Sequence, residues 1–229
     1  MAGKYLMRKM GKLGNSIKLL PSRLRRFYVT ARIHRRDFTI ISNNCWGGKV
    51  YQYFSMPYLS PTVGLYFFAE DYLKFVSDLR HYIGTELKII PAESAKHADI
   101  LKERNQMHVP IGVLDDIEIV FLHYKTEEEA REKWVRRCRR MNWDNVFIKF
   151  SRMDGCTEKH LKQFSELPFK NKFVFNIVRS PALNCEYYWS GPQDETSILR
   201  DTEPFPGNLP MIKLMNRSPE HYPETGLIQ

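Results

Sequence analysis

The first 36 residues contain no aspartate and no glutamate, although eleven of them are lysine or arginine. The rest of the chain holds 24 basic and 26 acidic residues, so the net charge of +9 belongs to this arm alone. A nearly neutral body excludes a broad basic surface for nucleic acid. Long apolar runs are also missing. The longest, such as Leu65–Ala69, are a handful of residues, far short of the roughly 20 that span a bilayer. Cysteine is scarce. Cys45, Cys138, Cys156 and Cys185 are scattered, and no two stand at metal-ligand spacing. That excludes a cysteine-built zinc module and fits reduced thiols in a cytoplasmic protein. Neither the dinucleotide fingerprint nor the phosphate loop with its Gly-Lys-Ser/Thr ending is present.

What is present is enough for a core, with 43% hydrophobic and 13% aromatic residues in a chain of 229. In the arm, Leu6, Met10, Leu13, Ile17, Leu20 and Leu24 recur at gaps of three and four, so they form one helical stripe among basic residues. Such a helix suits an anionic membrane surface, and it could equally pack on the body. Gly11, Gly14 and Pro21 interrupt it.

From Asp37 strand and helix patterns alternate. Strands are predicted at 38–42, 62–67, 86–91, 145–150 and 172–178, and two more around Leu114-Asp115-Asp116 within 109–125. Helices are predicted at 48–56, 69–84, 126–142 and 157–167. Thr126 with Glu129 reads as a capping box. The stretch 92–108 reads as loose, and the segment after 180 as ordered loop. The expectation is an α/β fold of two small three-layer domains with mostly parallel sheets. Residues 1–36 are the arm, 37–100 the first domain, 101–215 the second and 216–229 a tail.

The stretch "FTIISNNCWGG" (38–48) runs from a strand end into a helix start, where open α/β sheets bind ligands. Ser42, Asn43 and Asn44 offer uncharged hydrogen-bonding groups. Gly47 and Gly48 permit close backbone approach, and Trp46 could stack on a sugar or base. The same residues also fit a plain turn, with Trp46 in the core. Cys45 would need a base and a lowered pKa to act as a nucleophile, and no histidine spacing selects one. Asp116 and Glu118, two apart in a strand, share a face and are candidates for a general base or a cation site; His123 lies further along. Lys149 within its strand, and Asp154 with Gly155 after it, face the same ligand edge. Asp154-Gly155 is also a common turn pair.

Taken with "YLSPTVGLYF", "PIGVLDDIEIVFLHYKTEEEAREKW" and "RMNWDNVFIKFSRMDGCTEKHLKQFSELPFKNK", that stretch resembles a bacterial family of unknown function whose members are commonly labelled exopolysaccharide biosynthesis proteins. The resemblance covers roughly 37–215 and leaves the arm outside. It implies two small α/β domains and a setting in capsule or surface-polysaccharide synthesis, and it carries no catalytic residues.

The expected function is a glycosyltransferase-like reaction on an activated sugar bound between two α/β halves. No cofactor is fixed by the sequence; a nucleotide-sugar donor with Mg or Mn is the candidate. The acceptor would be a lipid-linked glycan at the inner face of the plasma membrane, with residues 1–36 on the anionic surface. The alternatives are transfer of an acyl or phospho-alcohol group, and a non-enzymatic scaffold of a polysaccharide assembly.

Overall fold

The apolar run at 38–42 becomes β1 (Thr39–Ser42), buried throughout, as a parallel strand covered on both faces must be. Its partner in space is β5 (Val146–Ser151), with Ile40 beside Phe147 and Ile41 beside Ile148. The computed structural model that shows this describes residues 22–206 and 209–224, with side chains from Phe27 onward. Beyond β5 come β6 (Lys172–Asn176) and β7 (Glu186–Tyr188), so the larger sheet runs β1-β5-β6-β7, parallel throughout. β7 lies in the segment expected to be loop. Three residues, two of them tyrosine, leave little periodic signal.

Alternate residues serve opposite faces. Ile41, Ile148, Phe150 and Val174 pack with α3 (Ala69–Ser77) and α7 (Glu158–Glu166). Ile40, Phe147, Phe173 and Phe175 pack with α2 (Trp46–Tyr53), α8 (Met211–Met215) and the end of α1 (Ser22–Ala31). The sheet is thus the middle of three layers.

A second sheet has the order β2 (Lys88–Ile90), β3 (Ile111–Leu114), β4 (Ile117–Val120). The α/β class holds, but this sheet is antiparallel rather than parallel. The cause is local: Asp115-Asp116 joins β3 to β4 in a two-residue turn, with Asp115 at φ +56°, and such a turn makes only antiparallel pairs. Trp134 and Ala130 of α6 (Glu127–Cys138) join the core around Leu114, Ile117 and Ile119. Leu101 of α5 (Ala98–Glu103) packs with Ile111 and Val120. Both sheets take strands from each side of residue 100, so neither is confined to one half of the expected division.

Three further expectations change. Residues 62–67, expected as a strand or a strand-like segment, are only the latter; Gly64 sits at φ +81°, and the segment adds one bridge, Tyr66 to Val120. The helix expected over 69–84 breaks at Asp78, whose side chain accepts from the His81 amide and starts α4 (Leu79–Gly84). The box at Thr126 is half formed: Thr126 accepts from the Glu129 amide, while Glu129 takes the amide of Lys125 instead.

Most of the arm's apolar stripe, Leu6 to Leu20, lies outside the described residues. The last part of the arm docks on the body. Val29 and Ile33 are buried, and His34 N donates to Asn216 Oδ1 at 2.9 Å. The tail is also fixed: Tyr222 is buried and its hydroxyl donates to the Val76 carbonyl at 2.9 Å. Among the described residues, no helix is long and apolar enough to cross a membrane.

Candidate functional site

At the carboxyl ends of β1 and β5 the chain opens a cleft of about 460 Å³, a size typical of small-ligand sites. Its floor is a buried polar network. Asn44 Nδ2 donates to Asp201 Oδ2 at 2.8 Å, Ser151 Oγ to the same oxygen at 2.6 Å, and Lys149 forms an ion pair with it. Lys149 Nζ also donates to Asn44 Oδ1 at 2.9 Å and Asn43 Oδ1 at 3.3 Å. Burial holds the Lys149 ammonium below the usual lysine range, and Asp201 opposes that shift.

Asn43 laces the two strand ends together, accepting from the Ser151 amide at 3.1 Å. Asn44 lies just before Cys45, the N-cap of α2, and accepts from the Trp46 amide at 3.1 Å. Ser42 is buried beneath them, its Oγ donating to Asn44 Oδ1 at 3.2 Å. These residues are placed by the end of a fully buried strand, where side chains must satisfy each other.

The walls come from further away. Arg104, just past α5, pairs with Asp154 at 2.8 Å and lies 5.7 Å from the ring centres of Tyr66 and Phe68. The Tyr66 hydroxyl donates to Gln106 Oε1 at 2.7 Å. Asp154 occupies the left-handed region, φ +53°, a position that costs energy for any side chain and turns β5 toward the cleft. Burial pushes its carboxyl above the usual aspartate range, against the pull of Arg104. The loop Ser197–Thr202 closes the far side.

The sequence-predicted residues separate into three groups. Asn44, Cys45, His123 and Asp154 line the cleft, and Lys149 lies under its floor. Ser42 and Asn43 are internal. Of the two places open to Trp46, ligand face or core, it takes the core: it is fully buried against Phe173 and Phe175, both at 5.4 Å, so its ring is closed to a ligand. Added Cβ atoms on Gly47 and Gly48 would meet Ile40 at 3.2 Å and Val63 at 3.1 Å, so these glycines serve helix-to-core packing.

Asp116 and Glu118 do not converge. Asp116 sits in the hairpin turn, held by Lys74 at 2.7 Å and the Tyr82 hydroxyl at 2.8 Å. The Lys74 ammonium keeps its carboxyl below the usual range. Glu118 is buried and accepts from the Lys96 amide at 2.9 Å. Both carboxylates are occupied by the fold, and neither reaches the cleft. Among the described residues, no three His, Cys, Asp or Glu side chains form a group able to hold a metal ion.

The Cys45 thiol is pushed up to about 11, mainly by burial and next by Asp201. It keeps its proton at neutral pH, which weighs against a thiolate nucleophile.

Arg104, Gln106, Tyr66 and Asp201 were not singled out from the sequence. Arg104 and Gln106 fall in the stretch read as loose, and Asp201 in the segment read as loop. The one usable signal was a neutral strand carrying a lone lysine, which needs a carboxylate partner somewhere.

A relative from Haemophilus influenzae, described as an uncharacterized protein, is 33% identical over 186 residues, which is 80% of this chain and 84% of that protein. The family model described as a domain of unknown function, DUF1919, matches residues 18–206. The match takes in the second half of the arm, which the sequence resemblance left outside. On that coverage the chain belongs to the DUF1919 family.

Proposed function

We propose that the cleft binds an activated sugar and that the protein is a glycosyltransferase-like enzyme of bacterial surface-polysaccharide synthesis. One observation carries the reading. The cleft is rich in hydrogen-bonding groups, yet its charges are matched: Arg104 with Asp154, Lys149 with Asp201 and Arg200 with Glu203. Such a surface favours hydroxyl-rich, uncharged groups over ions or alkyl chains. Its place beyond parallel strand ends supports the same reading.

In this reading the role of base moves from Asp116 and Glu118 to Asp154. Asp154 lines the cleft, and burial shifts its carboxyl toward neutrality, as a base for an acceptor hydroxyl requires. His123, which also lines the cleft, is the second group able to move a proton. The protonated Cys45 disfavours the acyl-thioester alternative. The acid-free arm supports placement at an anionic membrane, where a lipid-linked glycan acceptor would lie.

The test is the melting temperature of the full chain with nucleotides, nucleotide sugars and acyl-CoA, each with and without Mg²⁺ or Mn²⁺. A ligand at 100 times its dissociation constant adds about 2.7 kcal/mol, a shift of several degrees. The expected result is a shift with one nucleotide-sugar class, reduced in Gln106→Ala and Asp154→Asn. A shift with acyl-CoA alone would favour acyl transfer. No shift with any donor, in folded protein, would favour the scaffold reading.

A further inference from the structure

Beside the cleft lies a smaller hollow of about 300 Å³. Cys45 and His123 belong to the walls of both. The electrostatics of the two differ. The hollow is lined by Lys49, Lys133 and Arg137. Lys133 is paired with Glu129 of its own helix. Lys49 is exposed and, among the described residues, forms no ion pair.

Arg137 is the less ordinary of these. It is only 7% exposed. Among the described residues its contacts are all neutral: Nη1 donates to the Val63 carbonyl at 2.7 Å and to the Tyr124 hydroxyl, and the guanidinium lies 5.1 Å from the Tyr58 ring centre and 5.7 Å from that of Tyr124. Glu129, two turns earlier on α6, is committed to Lys133 and to the Lys125 amide. A guanidinium stays charged at any ordinary pH, and a buried charge without a counter-ion is costly. Tethering Val63 needs only a neutral donor. A charge held there at cost, on the wall of a hollow, with Nη1 alone hydrogen-bonded among the described residues, is a place prepared for an anion.

We propose that this hollow is a phosphoryl subsite, anchored by Lys49 and Arg137, for the phosphate or diphosphate of the ligand whose hydroxyl-rich part occupies the cleft. The inference rests on the reading of the cleft given above and adds the ligand's charged part. Arginine's planar fork matches two phosphate oxygens, and Lys49 adds a mobile point charge. The shared walls at Cys45 and His123 put the two spaces side by side, as one molecule spanning both requires. A neutral cleft beside a cationic hollow mirrors a sugar joined to a diphosphate.

The test is calorimetric titration of the full chain with inorganic pyrophosphate and with a nucleoside-diphosphate sugar. Pyrophosphate should bind, more weakly as salt rises. Lys49→Ala should weaken it by about tenfold, the loss of one charge-assisted contact. Arg137→Lys should weaken it as well, and Gln106→Ala should leave it unchanged. The nucleoside-diphosphate sugar should lose affinity in all three. Lys49 is exposed, so its variant folds even if Arg137→Lys does not. Pyrophosphate that fails to bind, or binds Lys49→Ala as well as wild type, would overturn the subsite. A sugar donor that binds without regard to Lys49 and Arg137 would overturn the subsite and leave the cleft reading intact. Pyrophosphate binding that needs Lys49, with no sugar donor binding at all, would keep the subsite and overturn the cleft reading.

Discussion

Lys149 and Asp201 stand 52 residues apart in the chain and form an ion pair sealed beneath the cleft, with their side chains 0% and 3% exposed. Asn44 and Ser151 also bond the same carboxylate oxygen, so removing one member strands several polar groups at once. Lys149→Met or Asp201→Leu should each cost roughly 3–5 kcal/mol, because each leaves an unpaired buried charge. The double variant should recover much of the loss. Urea denaturation measures all three. Single-variant costs below about 1 kcal/mol would show that water reaches the pair.

Cys45 gives a pH prediction. Its thiol holds its proton up to about 11 in the folded chain, against 9.0 ordinarily. A proton held more tightly in the folded state stabilises it fully below pH 9, and that contribution is lost as pH rises through about 11. Alkylation of Cys45, followed by mass spectrometry, should therefore stay slow past pH 9 and accelerate only toward 11. Rapid labelling at pH 8 would mean an activated thiolate and would revive the nucleophile reading.

Gly112 is a matter of space. A Cβ there would lie 2.5 Å from Phe121 Cε2 and 2.7 Å from Leu87 Cδ1. Gly112→Ala should destabilise by roughly 1–3 kcal/mol, seen as a lower melting temperature. Shortening Leu87 to Ala in the same chain should relieve part of that clash, giving a double variant less destabilised than the sum of the two changes.

The arm can be tested without opening the core. Val29 and Ile33 are buried, so deleting residues 1–36 would expose the body, whereas deleting 1–21 leaves that docking in place. Residues 1–21 carry five basic side chains, each worth about 1 kcal/mol at an anionic surface. The full chain should pellet with anionic vesicles, less so at high salt, and the shortened one should not. Equal pelleting would end the membrane reading.

The parts legible in the sequence were those fixed by neighbours in the chain. β1 and β5 announce themselves as apolar runs, α6 by Thr126 and its acid-to-base gradient, and the hairpin by Asp115-Asp116. Asn44, Cys45, His123 and Asp154 were found as candidates because strand-end logic needs no tertiary knowledge. The misreadings arose where distant residues decide. Trp46 fitted either a ligand face or the core, and Phe173 and Phe175, more than a hundred residues on, decide for the core. Asp116 and Glu118 were read as a pair from their spacing, but Lys74 and the Lys96 amide had already claimed them. Arg137 was hidden inside an arginine-rich helix end that the macrodipole explains by itself.

β1 must wait for β5, which is made only after every strand of the smaller sheet has been synthesised. The β3–β4 hairpin closes within microseconds once synthesised, whereas the β1–β5 pairing bears the entropy of a loop of about a hundred residues. The floor of the cleft comes later still, since Asn44 meets Asp201 across 157 positions. A nascent chain that stops short of Asp201 therefore lacks the floor of the cleft, however much of its sheet has formed. Any ligand taken up in the cleft would thus report a chain grown past Asp201.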